Sequence, residues 1–249
     1  MIKLKSPENI AAMQRAGRLA GEVREAVKAY AKVGMTTREL DLYARKIIKK
    51  GGAEPSFLGY NGYPANICIS VNEEVVHGIP GDRVLMDGDL VSIDIGTYLG
   101  GFHGDTADSF VVGKANPEAE DLIAATRESF FVGLELCVPG NKIGDIGHAI
   151  QEYVEDHGYS VVRALTGHGI GRKLHEDPAV PNYGRKHTGD VLRPGMTMAI
   201  EPMVNAGTHR VYVLDNDWTI VSADGRLSAH YEHTVAITEG APLILTKCD

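Results

Sequence analysis

The second half of this sequence repeats the pattern of the first, and that likeness constrains the fold more than any single motif. A shift of 106 residues places Gly34 on Gly140, Leu40 on Ile146, Ala44 on Ile150 and Gly52 on Gly158. A shift of 107 places Val84–Asp94 (VLMDGDLVSID) on Val191–Glu201 (VLRPGMTMAIE), so that Gly88 meets Gly195, Ile93 meets Ile200 and Asp94 meets Glu201. Beyond an insertion around Asn205–Leu227, His103-Gly104-Asp105 matches His230-Tyr231-Glu232. Helix caps and strand alternation recur in unrelated chains, but here acidic residues fall on acidic residues twice and in order. The sequence therefore describes one domain, residues 1–249, made of two related halves of about 1–115 and 116–249. Each half runs helix–helix–strands, and the two close around a central site.

Local signals give the elements. Ser6-Pro7-Glu8 is a helix start, with a capping hydroxyl, a proline at the first helical position and an acid in the first turn. Met13, Ala16, Ala20, Val23 and Val27 then recur at spacings of three and four, as one buried helix face does, and Gly34 closes the segment. Thr36-Thr37-Arg38-Glu39 reads as a capping box opening a second helix with Leu40, Ala44 and Ile48 on its stripe and Gly51-Gly52 beyond it. Asn116-Pro117 starts a third helix, and a fourth carries Ile143, Ile146, Ile150 and Val154 towards Gly158. From Tyr159 onwards the chain reads as strand and loop.

Between the helical pairs lies LVSIDIGTYLGGFHGDTADSF (Leu90–Phe110), two β-type runs around Leu99-Gly100-Gly101 with an aspartate on each arm. Pairing Asp94 directly opposite Asp105 puts a two-residue turn on Leu99-Gly100, although leucine suits positive φ poorly and a bulged turn has the same outcome. Opposed residues of an antiparallel pair share a face, and two carboxylates held that close repel unless a cation lies between them. Val91, Ile93 and Ile95 fill the other face, so the aspartates sit on a strand supported by core. A solvated hairpin with two surface acids is the alternative; a metal site fits the pattern better.

The repeat extends that site to four inward carboxylates: Asp94 and Asp105 from one half, Glu201 and Glu232 from the other. Thr197, Ala199 and Glu201 alternate onto one face, and Pro202 forces Glu201 into an extended conformation. Four carboxylates are balanced by two divalent cations, an arrangement that activates a bridging water and polarises a substrate oxygen. His168 in LTGHGIG, flanked by glycines that let the backbone approach, is the expected fifth ligand. Oxygen-rich ligation with one imidazole suits Mn²⁺, Fe²⁺ or Co²⁺ better than structural zinc. Among the other histidines, His77 (VVHGIP) and His175 (GRKLHEDP) stand in glycine- or proline-marked loops near strand ends. Cys68 is expected to be buried and inert, since no basic partner stands beside it.

Composition narrows the class further. A net charge of -8 argues against nucleic acid as the main partner, and three cysteines with no CxxC pair suit a reducing compartment. The start, MIKLKSPENI, has no apolar signal core, and no run approaches the ~18 apolar residues of a membrane span. A cytoplasmic protein is expected.

With these motifs in place, the chain resembles the methionine aminopeptidases of peptidase family M24. The order Asp94, Asp105, His168, Glu201, Glu232 is similar to that family's metal-ligand set, and NGYPANICISVNEEVVHGIP, DIGTYLGGFHGDTADSF, GHGIGRKLHEDP and AIEP match its motifs over essentially the whole chain. The resemblance implies an α+β, pita-bread (creatinase/aminopeptidase) fold: antiparallel sheet around a dinuclear metal site, helices outside. The compact spacing from His168 to Glu201 resembles type 1, and the lack of a Cys-rich N-terminal extension resembles its bacterial form. The implied activity is removal of N-terminal methionine before a small second residue, by attack of a metal-bridging water or hydroxide on the scissile carbonyl. It further implies Glu201 as ligand and proton shuttle, His175 beside the scissile carbonyl oxygen, and His77 near the scissile nitrogen. Tyr60, Tyr63, Cys68 and Trp218 match positions that line the methionine pocket. Leu174 departs from the family, whose bacterial members usually carry an aromatic residue there. Two divalent ions (Co²⁺, Mn²⁺ or Fe²⁺) are the implied cofactor. Nascent polypeptide N-termini are the implied partners, with ribosome association compatible with that role and a monomer expected. Prolidases and aminopeptidase P share the five ligands but usually carry an extra N-terminal domain and lack the NGYP…HGIP run. Pita-bread domains that only bind proteins lose ligands, and all five are present here.

Overall fold

In the computed structural model, which describes residues 1–248, four helices cover one side of a nine-stranded sheet that the two halves build jointly. Helices α1 (Pro7–Tyr30), α2 (Thr37–Lys50) and α3 (Pro117–Leu134) begin where their caps place them, and α4 (Ile143–Asp156) begins at the first residue of its apolar stripe. The Ser6 and Asn116 side chains accept from the N–H groups of Asn9 and Ala119, and Thr36 and Glu39 form the reciprocal capping box. Satisfying orphan N–H groups this way stabilises each helix start by ~1 kcal/mol.

The sheet strands are β1 (Glu54–Pro55), β2 (Cys68–Val71), β3 (Leu90–Leu99), β4 (Phe102–Val111), β5 (Gly167–Gly169), β6 (Glu176–Val180), β7 (Thr197–Ile200), β8 (Glu232–Ala236) and β9 (Leu243–Ile244). Their order is β1-β3-β4-β8-β7-β5-β6, with β2 also on β3 and β9 also on β8, and every pairing is antiparallel. The hairpin β3–β4 of the first half thus lies beside β7–β8 of the second, with β4 and β8 in contact at the centre. Smaller three-stranded sheets, Met203–Asn205 with Ser228–His230 and Ser160–Val161, and Val211–Val213 with Ile220–Ser222 and Glu74–Val76, flank it.

The hairpin corrects the register expected from sequence. Leu99 pairs with Phe102, Asp94 with Ala107 and Asp105 with Gly96, so the turn falls on Gly100-Gly101. Both glycines have positive φ, 60° and 85°, which a tight hairpin turn requires and Leu99 does not adopt readily. The aspartates are therefore diagonal neighbours rather than directly opposed. Since the shift preserves the alternation, they still share a face.

Two cores match the two halves. Val91, Ile93 and Ile95 turn their side chains onto Val23, Val27, Leu40, Ala44 and Ile48 of α1 and α2, while Met198 and Ile200 pack with Leu122, Phe130, Ile146 and Ile150 of α3 and α4. Each such side chain contributes roughly 1.5–3 kcal/mol through burial. The backbone repeats as the sequence does. Gly34 N donates to Leu85 O (2.8 Å) and Gly140 N to Leu192 O (3.1 Å); Thr37 N donates to Arg83 O and Ile143 N to Asp190 O; Gly88 N donates to Val112 O and Gly195 N to Ile237 O. Isolated bridges Thr36–Val84 and Lys142–Val191 are likewise equivalent.

Candidate metal centre and substrate pocket

Two rows of residues run across the sheet and carry the acidic side chains. In one, Asp94 of β3 pairs with Ala107 of β4, which pairs with Glu232 of β8; Glu201 follows Ile200, the partner of His233, and so comes beside Glu232. In the other, Gly96 pairs with Asp105, whose backbone N–H and C=O are both held by the Thr234 hydroxyl, and Thr234 pairs with Ala199, itself the partner of His168. Small residues at 96, 107, 199 and 234 leave space above the sheet between the functional side chains. At Gly96 that space is required: a Cβ would lie 2.6 Å from Phe57 Cε1. Asn182 fixes the backbone of Glu201 by donating to its carbonyl oxygen (2.9 Å).

The structure brings all five expected ligands together. Asp105, His168 and Glu232 present ligand atoms within 4.8 Å of one another. His168 Nε2 lies 3.6 Å from Glu201 Oε1 and 4.0 Å from Asp105 Oδ2, while its Nδ1 donates to Gly169 O at 2.9 Å. That backbone bond puts the ring proton on Nδ1 and leaves the Nε2 lone pair facing the acids, the tautomer a metal ligand needs. Burial pushes the His168 imidazole down to about 3, so it is neutral.

The charge balance points the same way. Burial raises the Asp94 carboxyl to about 7. Burial first, and then the negative charges of their neighbours, raise Asp105, Glu201 and Glu232 well above the ordinary carboxylate range. Four acids this close cannot all ionise in the absence of positive charge. Asp94 Oδ1, Asp105 Oδ1 and Glu232 Oε1 are buried and have no hydrogen-bond partner among the described residues. Buried acceptors without donors are costly, and a divalent cation satisfies them and replaces the protons. The residues therefore fit a metal centre made of oxygens and one imidazole.

A cavity of about 200 Å³ opens above this cluster and is lined by all eleven residues singled out from sequence. It is smaller than the ~300–1,000 Å³ of most small-molecule pockets, which suits one side chain and a scissile bond rather than a long ligand. Tyr63, Cys68 and Leu174 are buried in its apolar wall. Trp218 stands edge-on to Tyr63 (ring centroids 5.1 Å apart) and to His77 (6.4 Å). Burial raises the Cys68 thiol well above its ordinary value, which leaves it unreactive. Tyr63 donates its hydroxyl to Gly78 O (2.9 Å), anchoring the wall to the loop that carries His77. His77 adopts φ 59°, an uncommon conformation for a residue with a side chain, and burial pushes its imidazole down to about 4. On the opposite rim, His175 Nδ1 is 2.6 Å from the Tyr60 hydroxyl and its ring lies 4.1 Å from that of His168.

Three features were not singled out from sequence. Phe57 and Asn61 also line the cavity. Their loop carries no periodicity, and the sequence signal for Asn61 is that it opens the NGYP…HGIP run. His230 lies buried beneath Glu201 and Glu232, at 3.8 and 3.9 Å. Its sequence signal is its place in the internal repeat, where it falls on His103, two residues before Glu232.

Comparison with known proteins agrees with this chemistry. The model of metallopeptidase family M24 matches residues 11–239. A methionine aminopeptidase of Clostridium acetobutylicum is 53% identical over 250 residues, covering 100% of both chains. The crystal structure of a methionine aminopeptidase from Thermotoga maritima superposes with a TM-score of 0.97 at 44% identity, covering 99% of this chain and 100% of that one. A prolidase from Pyrococcus furiosus shares the pita-bread fold with a TM-score of 0.81 at 25% identity, covering 99% of this chain but 66% of its own. With four buried acids and one imidazole on an antiparallel sheet, and with full-length relatives at this level of identity, the chain belongs to metallopeptidase family M24 and, within it, to the bacterial-type methionine aminopeptidases.

Proposed function

We propose that this protein removes the N-terminal methionine from peptides and nascent proteins whose second residue is small. The observation that carries this reading is the joining of a carboxylate–imidazole cluster to the floor of a small, aromatic-edged cavity. A long, unbranched, polarizable thioether fits such a slot, and Tyr63 and Trp218 offer it ring edges. In this reading Asp94, Asp105, His168, Glu201 and Glu232 hold two divalent cations, drawn from Co²⁺, Mn²⁺ and Fe²⁺. Asp105 and Glu232, from the two strands that meet at the centre, would form the middle of that ligand set, with Asp94 on one side and His168 and Glu201 on the other. Bound there, such ions supply Lewis-acid polarisation of the scissile carbonyl and an acidified water.

The chain's own groups do the rest. A carboxylate oxygen of Glu201 takes the proton released as the water oxygen bonds to the carbonyl carbon. It delivers that proton to the amide nitrogen as the carbon–nitrogen bond breaks. With the Tyr60 hydroxyl donating to Nδ1, His175 keeps its proton on Nε2, turned towards the cavity, where it donates to the oxygen that gains negative charge. His77, held in its constrained conformation, occupies the space beside the second residue, which favours glycine and alanine there. No helix among the described residues is long and apolar enough to cross a membrane. We place the protein in the cytoplasm as a single catalytic domain and a monomer, with ribosome association compatible with its substrate. Nucleic acid is not a substrate in this reading.

The test is hydrolysis of Met-X-Ser peptides, with X from Gly to Trp, against Leu-Ala-Ser and an X-Pro peptide, each with Co²⁺, Mn²⁺ and Fe²⁺. Met-Ala-Ser should be cut fastest, with rates falling steeply as X grows. Leu174 stands where the family resemblance usually puts an aromatic ring, and a pocket separates similar apolar side chains by only ~1–3 kcal/mol, so slow Leu cleavage is expected. Faster cleavage of the X-Pro peptide would overturn the assignment in favour of a proline-directed peptidase.

A further inference from the structure

We propose that His230 is a positioning residue of this centre, donating its Nε2–H into the gap between the Glu201 and Glu232 carboxylates and so fixing the orientation in which both meet the metal ions. This role rests on the ligand assignments proposed above for Glu201 and Glu232. His230 is 2% exposed and ends the strand Ser228–His230; standing two residues before Glu232, it follows the same side of the extended chain. Its Nε2 lies 3.8 Å from Glu201 Oε2 and 3.9 Å from Glu232 Oε2 and has no hydrogen-bond partner among the described residues. A fully buried polar group left unpaired costs ~1–3 kcal/mol, and two carboxylates able to accept from it stand within 4 Å.

The residue cannot withdraw. His230 N donates to Ser109 Oγ (2.9 Å), and the same hydroxyl donates to His230 O (2.8 Å). Ser109 is in turn tied to Ser92 (2.7 Å), and Met203 pairs with His230 across the strand. The imidazole is thus delivered from a rigid backbone to the underside of the two glutamates.

The internal repeat sharpens the point. His103 occupies the equivalent position, two residues before Asp105, yet its Nδ1 is engaged by the Ser56 hydroxyl at 2.8 Å. Among the described residues His103 makes no ion-pair contact with Asp94 or Asp105, whereas His230 Nε2 stands within 4 Å of both glutamates of its half. That half carries glutamates where the first carries aspartates, and each glutamate has one more rotatable bond to immobilise. An outer donor is worth most where the ligand is longest. Hydrogen bonds from outside a metal's ligands typically alter its affinity 10–100-fold when removed.

The experiment compares His230→Leu with His230→Gln, since a carboxamide keeps an N–H donor and leucine does not. Metal-free protein is titrated calorimetrically with Co²⁺ and Mn²⁺, the visible spectrum of the Co²⁺ form is recorded, and kcat and KM are measured on Met-Ala-Ser at saturating metal. His230→Leu should weaken metal binding about 10- to 100-fold, alter the Co²⁺ spectrum and lower kcat with little change in KM, whereas His230→Gln should stay within about threefold of wild type on each measure. Metal-free circular dichroism should be the same for all three proteins; if the leucine variant does not fold, His230→Met takes its place. Wild-type affinity and spectrum in the nonpolar variant would overturn the proposal, as would equal impairment of the glutamine and nonpolar variants. Wild-type protein inactive on Met-Ala-Ser with every metal would strike the substrate assignment and leave the metal titrations standing. Unchanged metal binding in Glu201→Gln would strike the ligand assignment instead.

Discussion

Replacing His175 by alanine tests the mechanism most directly, and the geometry sets the size of the effect. The ring is not a ligand of the cluster, and its Nδ1 is engaged by Tyr60 at 2.6 Å, so its loss should spare the metal content and remove one donor to the developing oxyanion. A preorganised donor of this kind contributes ~2.7–4 kcal/mol to the transition state. His175 is exposed before substrate covers it, which places it at the lower end. The expected fall in kcat is therefore about 100-fold, with KM changed by less than about threefold. Tyr60→Phe provides the graded comparison. It removes one neutral hydrogen bond at the rim, worth ~0.7 kcal/mol, and should lower kcat about threefold. Both variants are assayed on Met-Ala-Ser with metal content measured in the same samples. An unchanged kcat in fully loaded His175→Ala, or a loss residing wholly in KM, would refute the donor role.

Three further outcomes are expected. In metal-free protein, Asp94 keeps in the folded state, at about 7, a proton that the unfolded chain releases near 3.8. The stability this contributes is complete below the unfolded value and is lost as pH rises through about 7. Chemical denaturation should therefore show a falling midpoint over that window without metal, and Mn²⁺ should remove or reverse the trend; a rising midpoint without metal would refute it. Lys5→Met should cost ~3–5 kcal/mol in a urea titration, because Lys5 Nζ sits 2.7 Å from Glu176 Oε2 with both side chains under a tenth exposed, and its loss strands the carboxylate next to His175. A cost below ~1 kcal/mol would show that solvent reaches the pair. Gly104→Ala should destabilise by at least ~1–3 kcal/mol, since the new Cβ would lie 2.5 Å from the Gly17 backbone of α1; an unchanged thermal midpoint would contradict that contact.

Much of this protein was written in local spacing. Ser6-Pro7, Thr36–Glu39 and Asn116-Pro117 announced their helices because caps act within one turn, and the stripes at Met13–Val27 and Leu40–Ile48 named the faces the helices bury. Val91, Ile93 and Ile95 against Ser92, Asp94 and Gly96 told the two sides of β3 apart, because strand alternation has a period of two. The internal repeat carried the acids of one half onto those of the other, so the members of the cluster could be named before any fold was known. Distance along the chain, however, says nothing about which strands become neighbours. Only the folded sheet sets β4 against β8, more than a hundred residues apart, and so places Asp105 within reach of Glu232 and His168. The hairpin turn moved to Gly100-Gly101 because backbone φ, not residue count, decides where a tight turn closes. The Tyr60–His175 hydrogen bond and the burial of His230 beneath Glu201 and Glu232 likewise join segments with no shared periodicity. Periodicity and capping are properties of neighbouring residues, whereas a site made from five separate strands and loops exists only once packing has brought them together.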